Sequence, residues 1–232
     1  MLNNFTFTLY EIFGYLVPGS VTLTGFAIIY WAAFNPTAQL WAGFDPGVGV
    51  WALLLSGCYI LGHAAQAVGN KLFRQVEKKA LEMKSNPLLR ESAFQHAARI
   101  FDVDIKSLDA RWVYRVLDEL AVQNGQPGDR DMFIYREGFY RGTCVGLFFL
   151  ALSLIVRAAV PGTVLKCTYW TLALSQRELV FTSLIVCGLG WLFFQRYCRF
   201  TEYRVTRAVL SALVLLQLPK DGNETEKAVT EK

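Results

Sequence analysis

Four long apolar stretches dominate the pattern of this chain. Three of these stretches contain no Asp, Glu, Lys or Arg: residues 12–34, 48–68 and 179–194. The other stretch, residues 142–160, contains only Arg157, which is near enough to the end to reach lipid headgroups. About 20 apolar residues in a helix cross the hydrocarbon core of a bilayer, so the first two stretches are long enough and the third nearly so. The fourth is shorter and needs either residues 195–198 as well or a locally thinner bilayer. The pattern predicts an all-α integral membrane four-helix bundle.

Residues 70–141 have a different pattern, in which apolar residues recur every three or four positions among charged ones. This spacing is typical of amphipathic helices and predicts a cytoplasmic helical insert. The second span is expected to continue as one helix to Ser85, and Asn86 with Pro87 begins the next helix. Asp102 and Asp104 are expected to cap helix N-termini. Because such an insert is too small for a large core, partner subunits are expected to cover its remaining apolar surface.

The end of the chain follows a third pattern. Residues 199–218 are predicted to form an interfacial amphipathic helix that lies along the bilayer or against neighbouring helices, with Arg204, Arg207 and Ser211 on one narrow strip. Residues 219–232 are polar, lack apolar periodicity and are predicted to be a disordered tail. The other divisions are a first transmembrane hairpin at residues 1–69, the insert at 70–141 and a second transmembrane hairpin at 142–198.

Basic residues near the membrane edges lie mostly on one side. The side of the insert holds Lys71, Arg74, Lys78, Lys79, Lys84, Arg130, Arg136, Arg141, Arg196, Arg199, Arg204 and Arg207, and the other side holds Arg157, Lys166 and Arg177. Since cytoplasmic flanks carry the positive excess, we expect a multi-pass protein of the bacterial inner membrane with both termini in the cytoplasm. The net charge of +4 then reflects topology and gives no reason to expect nucleic acid as a partner.

The composition agrees with this class. The chain is 53% hydrophobic and 18% charged, with a mean hydropathy of +0.30, which excludes a disordered or collagen-like chain. It contains no nucleophile elbow, phosphate-binding loop, zinc motif or dinucleotide fingerprint. We therefore expect a non-enzymatic protein without catalytic residues, cofactor or metal site. The open alternative, a membrane-bound enzyme, would need a polar pocket near Arg90 and His96.

A polar face within the second span is the first candidate functional feature. Its residues recur at helical spacing, so they share one side of the helix: Tyr59, His63, Gln66 and Asn70. Polar groups at membrane depth rarely face lipid, so this face either lines a pore or makes interhelical hydrogen bonds. In the first span, Pro18 and Gly19 predict a helix kink.

The insert supplies the second candidate feature. Trp112, Tyr114 and Tyr135 are the predicted surface for a soluble cytoplasmic protein partner, because aromatic side chains are enriched at binding hot spots. The leftover apolar surface also predicts a homo-oligomer in the lipid bilayer.

The sequence YEIFGYLVPG at residues 10–19, followed by Leu61, Gly62, His63 and a basic flank, resembles small bacterial inner-membrane proteins of anti-phage defence loci, including the Kiwa-type four-span membrane subunit. The resemblance implies an oligomer that senses membrane disturbance, or acts on the membrane when a soluble partner signals. It carries over no catalytic residues. The function expected is thus a membrane sensor, scaffold or pore-forming effector, and the alternative is a channel or transporter subunit with a polar face around His63.

Overall fold

A computed structural model describes residues 12–34, 47–123, 128–160 and 175–217, and all regular structure in these ranges is helical. A π-helical turn at Ile12–Leu16 precedes α1 (Val17–Phe34). The helices that follow are α2 (Val48–Leu72), α3 (Arg74–Leu81), α4 (Pro87–Phe101), α5 (Ala110–Gln123), α6 (Gly128–Ala159) and α7 (Gln176–Gln217), with a 3₁₀ turn at Ile105–Ser107. The predicted tail at residues 219–232 lies outside the described residues.

Four of the described helical segments are long and apolar enough to cross a membrane: Ile12–Tyr30, Val48–Leu72, Ile134–Ala159 and Gln176–Leu216. They correspond to the four predicted spans, and the all-α fold class is confirmed for the described residues. Such segments form helices because a helix satisfies every interior backbone N–H and C=O within itself.

The helices differ in whether they continue unbroken beyond the apolar segments. α6 runs without a break from the insert into the third span, as predicted. α2 ends at Leu72 and α3 begins at Arg74, so the prediction of one helix to Ser85 is wrong at Phe73. The Phe73 ring lies 5.1 Å from the Phe194 ring and 5.5 Å from the Tyr197 ring, between centroids, so the break coincides with an aromatic contact to α7.

The chain divides into two compact units, and each is formed by segments that are distant in sequence. The first unit contains residues 1–74 and 134–200, and the second contains residues 75–133 and 201–232. Residues 134–141 therefore belong with the apolar helices rather than with the predicted insert at 70–141. The reason is close packing, since Gly138 lies against Gln66 and Arg141 lies against Gly69.

The second unit has an apolar core of its own. Its fully buried members include Ala93, Ala97, Val113, Leu117, Val205, Val209 and Ala212. The last of these come from α7, which continues through residue 199 without interruption. The amphipathic helix predicted at 199–218 is thus the end of α7 and not a separate helix. Of its two predicted placements, along the bilayer or against neighbouring helices, its apolar side has the second and completes the core of the second unit.

Local capping explains the helix ends in the second unit. The Asn86 side chain accepts a hydrogen bond from the Leu89 N–H at 3.2 Å, and Pro87 is the first residue of α4, as predicted. Asp104 caps the 3₁₀ turn by accepting from the Lys106 N–H at 3.1 Å. Asp102 differs from its prediction, because it ends α4 in the left-handed conformation with φ 51°.

Candidate functional site

Glycines allow the segment at residues 12–34 and α2 to approach closely. A methyl group placed on Gly19 would overlap the carbonyl oxygen of Cys58, and one placed on Gly62 would overlap the carbonyl oxygen of Tyr15. A residue with a side chain at either position would push the two helices apart. The predicted pair Pro18 and Gly19 thus lies at the contact between the first two apolar helices.

Pro18 removes the usual backbone donor to a carbonyl group, and the Gln66 side chain donates to that carbonyl instead. Proline has no N–H, so it cannot donate to the carbonyl four residues earlier, which belongs to Gly14. Gln66 Nε2 donates to the Gly14 carbonyl oxygen at 2.8 Å. The chain also changes from a π-helical turn to α1 immediately before Pro18. The predicted kink position is therefore a site where a side chain on another helix replaces a missing backbone donor.

A line of glycines on α6 packs against the same place. A methyl group on Gly142 would lie 3.1 Å from Pro18 Cβ and 3.1 Å from Gln66 Cγ, and one on Gly146 would lie 3.1 Å from the Pro18 carbonyl oxygen. Gln66 is thus enclosed by the first and third apolar helices. We call Gly14, Pro18, Gln66 and Gly142 the proline junction.

The predicted polar face of α2 separates into two sets. Gln66 points into the proline junction, whereas Tyr59, His63 and Asn70 are exposed in the single chain. The Tyr15 ring stacks on the His63 ring at 3.8 Å between centroids, and the Tyr59 ring meets the His63 ring edge-on at 4.7 Å. The interhelical hydrogen bond predicted for this face is observed at Gln66, while the other three residues remain available to face a neighbour.

A carboxylate and a guanidinium are enclosed on α6. Arg141 Nη1 lies 3.3 Å from Glu137 Oε1, and the exposed side-chain fractions are only 15% and 5%. The Arg141 guanidinium also lies 5.9 Å from the centre of the Tyr197 ring. Arg157, expected to reach headgroups, is instead covered by protein, with 2% of its surface exposed.

The predicted partner surface is only partly at the surface. Trp112 is exposed, and its ring meets the Phe101 ring edge-on at 4.9 Å. Tyr114 is 9% exposed and belongs to the core, with the Arg204 guanidinium 5.9 Å from its ring centre, so its assignment to a surface is wrong. Tyr135 is half-buried and belongs to the first unit. The helical spacing of α5 turns residues 112 and 114 in different directions.

Sequence reasoning missed most of the exposed apolar surface in the second unit. Five exposed apolar residues lie in or near the 3₁₀ turn along the chain, and we call them the apolar strip: Ile100, Phe101, Val103, Ile105 and Trp112. Helix α4 ends at Asp102, whose backbone is left-handed, and the last turn of the helix lies outside the core.

Arg90 and His96, the residues on which the membrane-bound enzyme alternative depends, contact residues of their own helix. The Arg90 guanidinium lies 5.3 Å from the Phe94 ring centre, and His96 Nδ1 lies 2.9 Å from the Ser92 carbonyl oxygen. Each thus contacts its own helix. Within the described ranges, no three His, Cys, Asp or Glu residues are grouped so that they could hold a metal ion.

No protein-family profile, curated protein or solved structure matches this chain. The resemblance to membrane proteins of anti-phage loci stays a prediction.

Proposed function

We propose that this chain is a multi-pass, oligomeric protein of the bacterial inner membrane that acts as a membrane sensor, scaffold or pore-forming effector with a soluble partner, in anti-phage defence. The four long apolar helices support the membrane placement. The distribution of Lys and Arg supports a cytoplasmic location for the second unit and both termini. The proposal involves no catalytic step by this chain.

The apolar strip is the observation that carries the docking part of the proposal. The second unit has a buried apolar core, and the five large side chains of the strip are exposed outside it. Their exposure therefore does not contribute to the folding of that unit. Large exposed aromatic side chains are typical anchors of protein interfaces. A soluble partner bound at the strip would connect events at the membrane with a response in the cytoplasm.

Substitution of the strip tests the docking role. The double variant Phe101→Ser, Trp112→Ser should weaken co-purification with the protein encoded beside this chain by about 30-fold, the effect of losing a hot spot worth about 2 kcal/mol. Protection against phage should fall with it. Leu88→Ser is the matched control, because Leu88 is 77% exposed on the same helix α4 but lies outside the strip.

Two results would contradict the proposal. Unchanged binding and protection in the double variant would show that the partner does not use the strip. Absence of both phage protection and a complex with the wild-type chain would remove the defence role itself.

The exposed side of α2 favours a second candidate, a channel or transporter subunit. Tyr59, His63 and Asn70 are exposed in the single chain and would line a polar path if copies assembled around them. A cysteine at position 63, in a variant lacking the native cysteines, should then react with a membrane-impermeant maleimide, and liposomes should pass ions. Position 66 is less suitable for labelling, because Gln66 is bonded to Gly14. An unreactive position 63 and tight liposomes would exclude this candidate.

A further inference from the structure

A groove in the first unit lies between the last turns of α6 and the first turns of α7. Its volume is about 590 Å³, within the usual range for sites that bind small molecules. Its apolar lining consists of Ile155, Ala158, Ala159, Val180, Phe181 and Leu184. Gln176 and Arg177 complete the lining where α7 begins.

The groove follows from the side chains on both helices. Ala158 and Ala159 are too small to fill the space beside α7, whereas Phe181 and Leu184 are large and remain 66% and 65% exposed. Near the groove, Ser183 Oγ donates to the Ala151 carbonyl oxygen at 2.9 Å and joins the two helices. The groove is therefore an apolar surface between two helices that this hydrogen bond holds together.

Charge at the groove is confined to one position. Among the described lining residues, Arg177 alone carries a charge, and it lies at the very start of an apolar helix. Two backbone N–H groups at this helix start are already bonded, since Ser175 N–H donates to Glu178 Oε2 at 2.6 Å and Glu178 N–H donates to Ser175 Oγ at 3.4 Å. An anion at the groove would therefore be held by the guanidinium rather than by the helix terminus.

We propose that this groove binds one phospholipid, with an acyl chain along the apolar lining and the lipid phosphate on the Arg177 guanidinium. The proposal rests on the proposed membrane placement, which brings Arg177 to the level of the headgroups. Guanidinium groups pair well with phosphate oxygens, and the apolar lining excludes a free, fully hydrated phosphate as the sole occupant. The site adds a specific lipid contact at the membrane edge where α7 begins.

A photoreactive lipid tests the proposal in liposomes that contain the full chain. The probe is phosphatidylglycerol with a diazirine on one acyl chain, and labelled peptides are identified by mass spectrometry. Labelling should concentrate on residues 155–159 and 180–184. Ala159→Trp, which fills the groove, should abolish the concentrated labelling.

Charge variants separate the headgroup contact from the acyl contact. Arg177→Gln should reduce labelling by about fivefold, the size expected for one exposed ion pair. Arg196→Gln is the matched control, because Arg196 is exposed on the same helix outside the groove, and it should leave labelling unchanged. With a diacylglycerol probe, which lacks the phosphate, Arg177→Gln should have no effect.

Three outcomes overturn the proposal. Labelling spread evenly over α6 and α7, and insensitive to Ala159→Trp, would mean general lipid contact only. Disulfide crosslinks between copies of a Phe181→Cys variant, together with loss of the lipid labelling, would make the groove an interface between subunits. Extraction of the wild-type chain by alkaline carbonate would reject the membrane placement, and with it the proposed function, whereas failure of the groove alone leaves that placement standing.

Discussion

At the scale of single residues, two glycines set the distance between the first two apolar helices. Gly19→Ala places a methyl group on the Cys58 carbonyl, so the helices must separate. We expect a loss of stability of about 1–3 kcal/mol, the usual range for overpacking, measured as a lower midpoint of thermal unfolding in detergent.

The control for this prediction is Gly57→Ala on α2. A methyl group on Gly57 meets no atom within 4 Å, so its effect on the midpoint should be small and, through higher helix propensity, favourable. Equal midpoints for the Gly19 and Gly57 variants would show that the two helices are not in close contact.

The proline junction predicts that Gln66 and Pro18 are energetically coupled. Gln66→Leu leaves the Gly14 carbonyl without its donor, which should cost about 1–3 kcal/mol. Pro18→Ala restores a backbone N–H four residues after Gly14. In the presence of Pro18→Ala, Gln66→Leu should therefore be less destabilising, by about 1 kcal/mol in a double-mutant cycle of unfolding in detergent.

Additive effects of the two changes would contradict the coupling. Gln95→Leu is the control, because the Gln95 amide is exposed and bonds only Glu91 on the same helix, so it should not couple to Pro18.

At the scale of elements, α7 supplies the second unit with part of its core. Ending the chain after Phe200 removes Val205, Val209 and Ala212, all fully buried, and uncovers α4 and α5. Limited proteolysis should then cut residues 75–133 at least tenfold faster, because cleavage follows the population of open states. A chain ending after Leu218 keeps the core and should resist cleavage like the full chain. Equal resistance of the shorter chain would show that residues 75–133 fold without α7.

Element positions were predictable from the sequence because they follow from local chemistry. Long stretches almost without charged residues predicted the four apolar helices, and Asn86 with Pro87 predicted the start of α4. The role of the end of α7 was not predictable. The pattern of Val205 and Val209 identifies an apolar face, but a membrane surface and a protein core attract such a face equally.

The candidate site was less predictable than the helices. Helical spacing placed Tyr59, His63 and Gln66 on one side, yet only the bond from Gln66 to Gly14 shows which of them turns inward. That choice depends on Pro18, which is distant in sequence. Trp112 and Tyr114 are equally plausible as surface residues by type, and only the packing of α5 assigns Tyr114 to the core.

At the scale of the whole molecule, the proposed topology requires Ser175 and Lys106 to be on opposite sides of a membrane. Single cysteines at Ser175 and Lys106, both exposed, report the two sides in a variant without native cysteines. A membrane-impermeant maleimide that passes the outer membrane is applied to intact cells and then to permeabilised cells. With the proposed topology, position 175 should react in intact cells and position 106 only after permeabilisation. The reverse order, or reaction of both positions in intact cells, would contradict it.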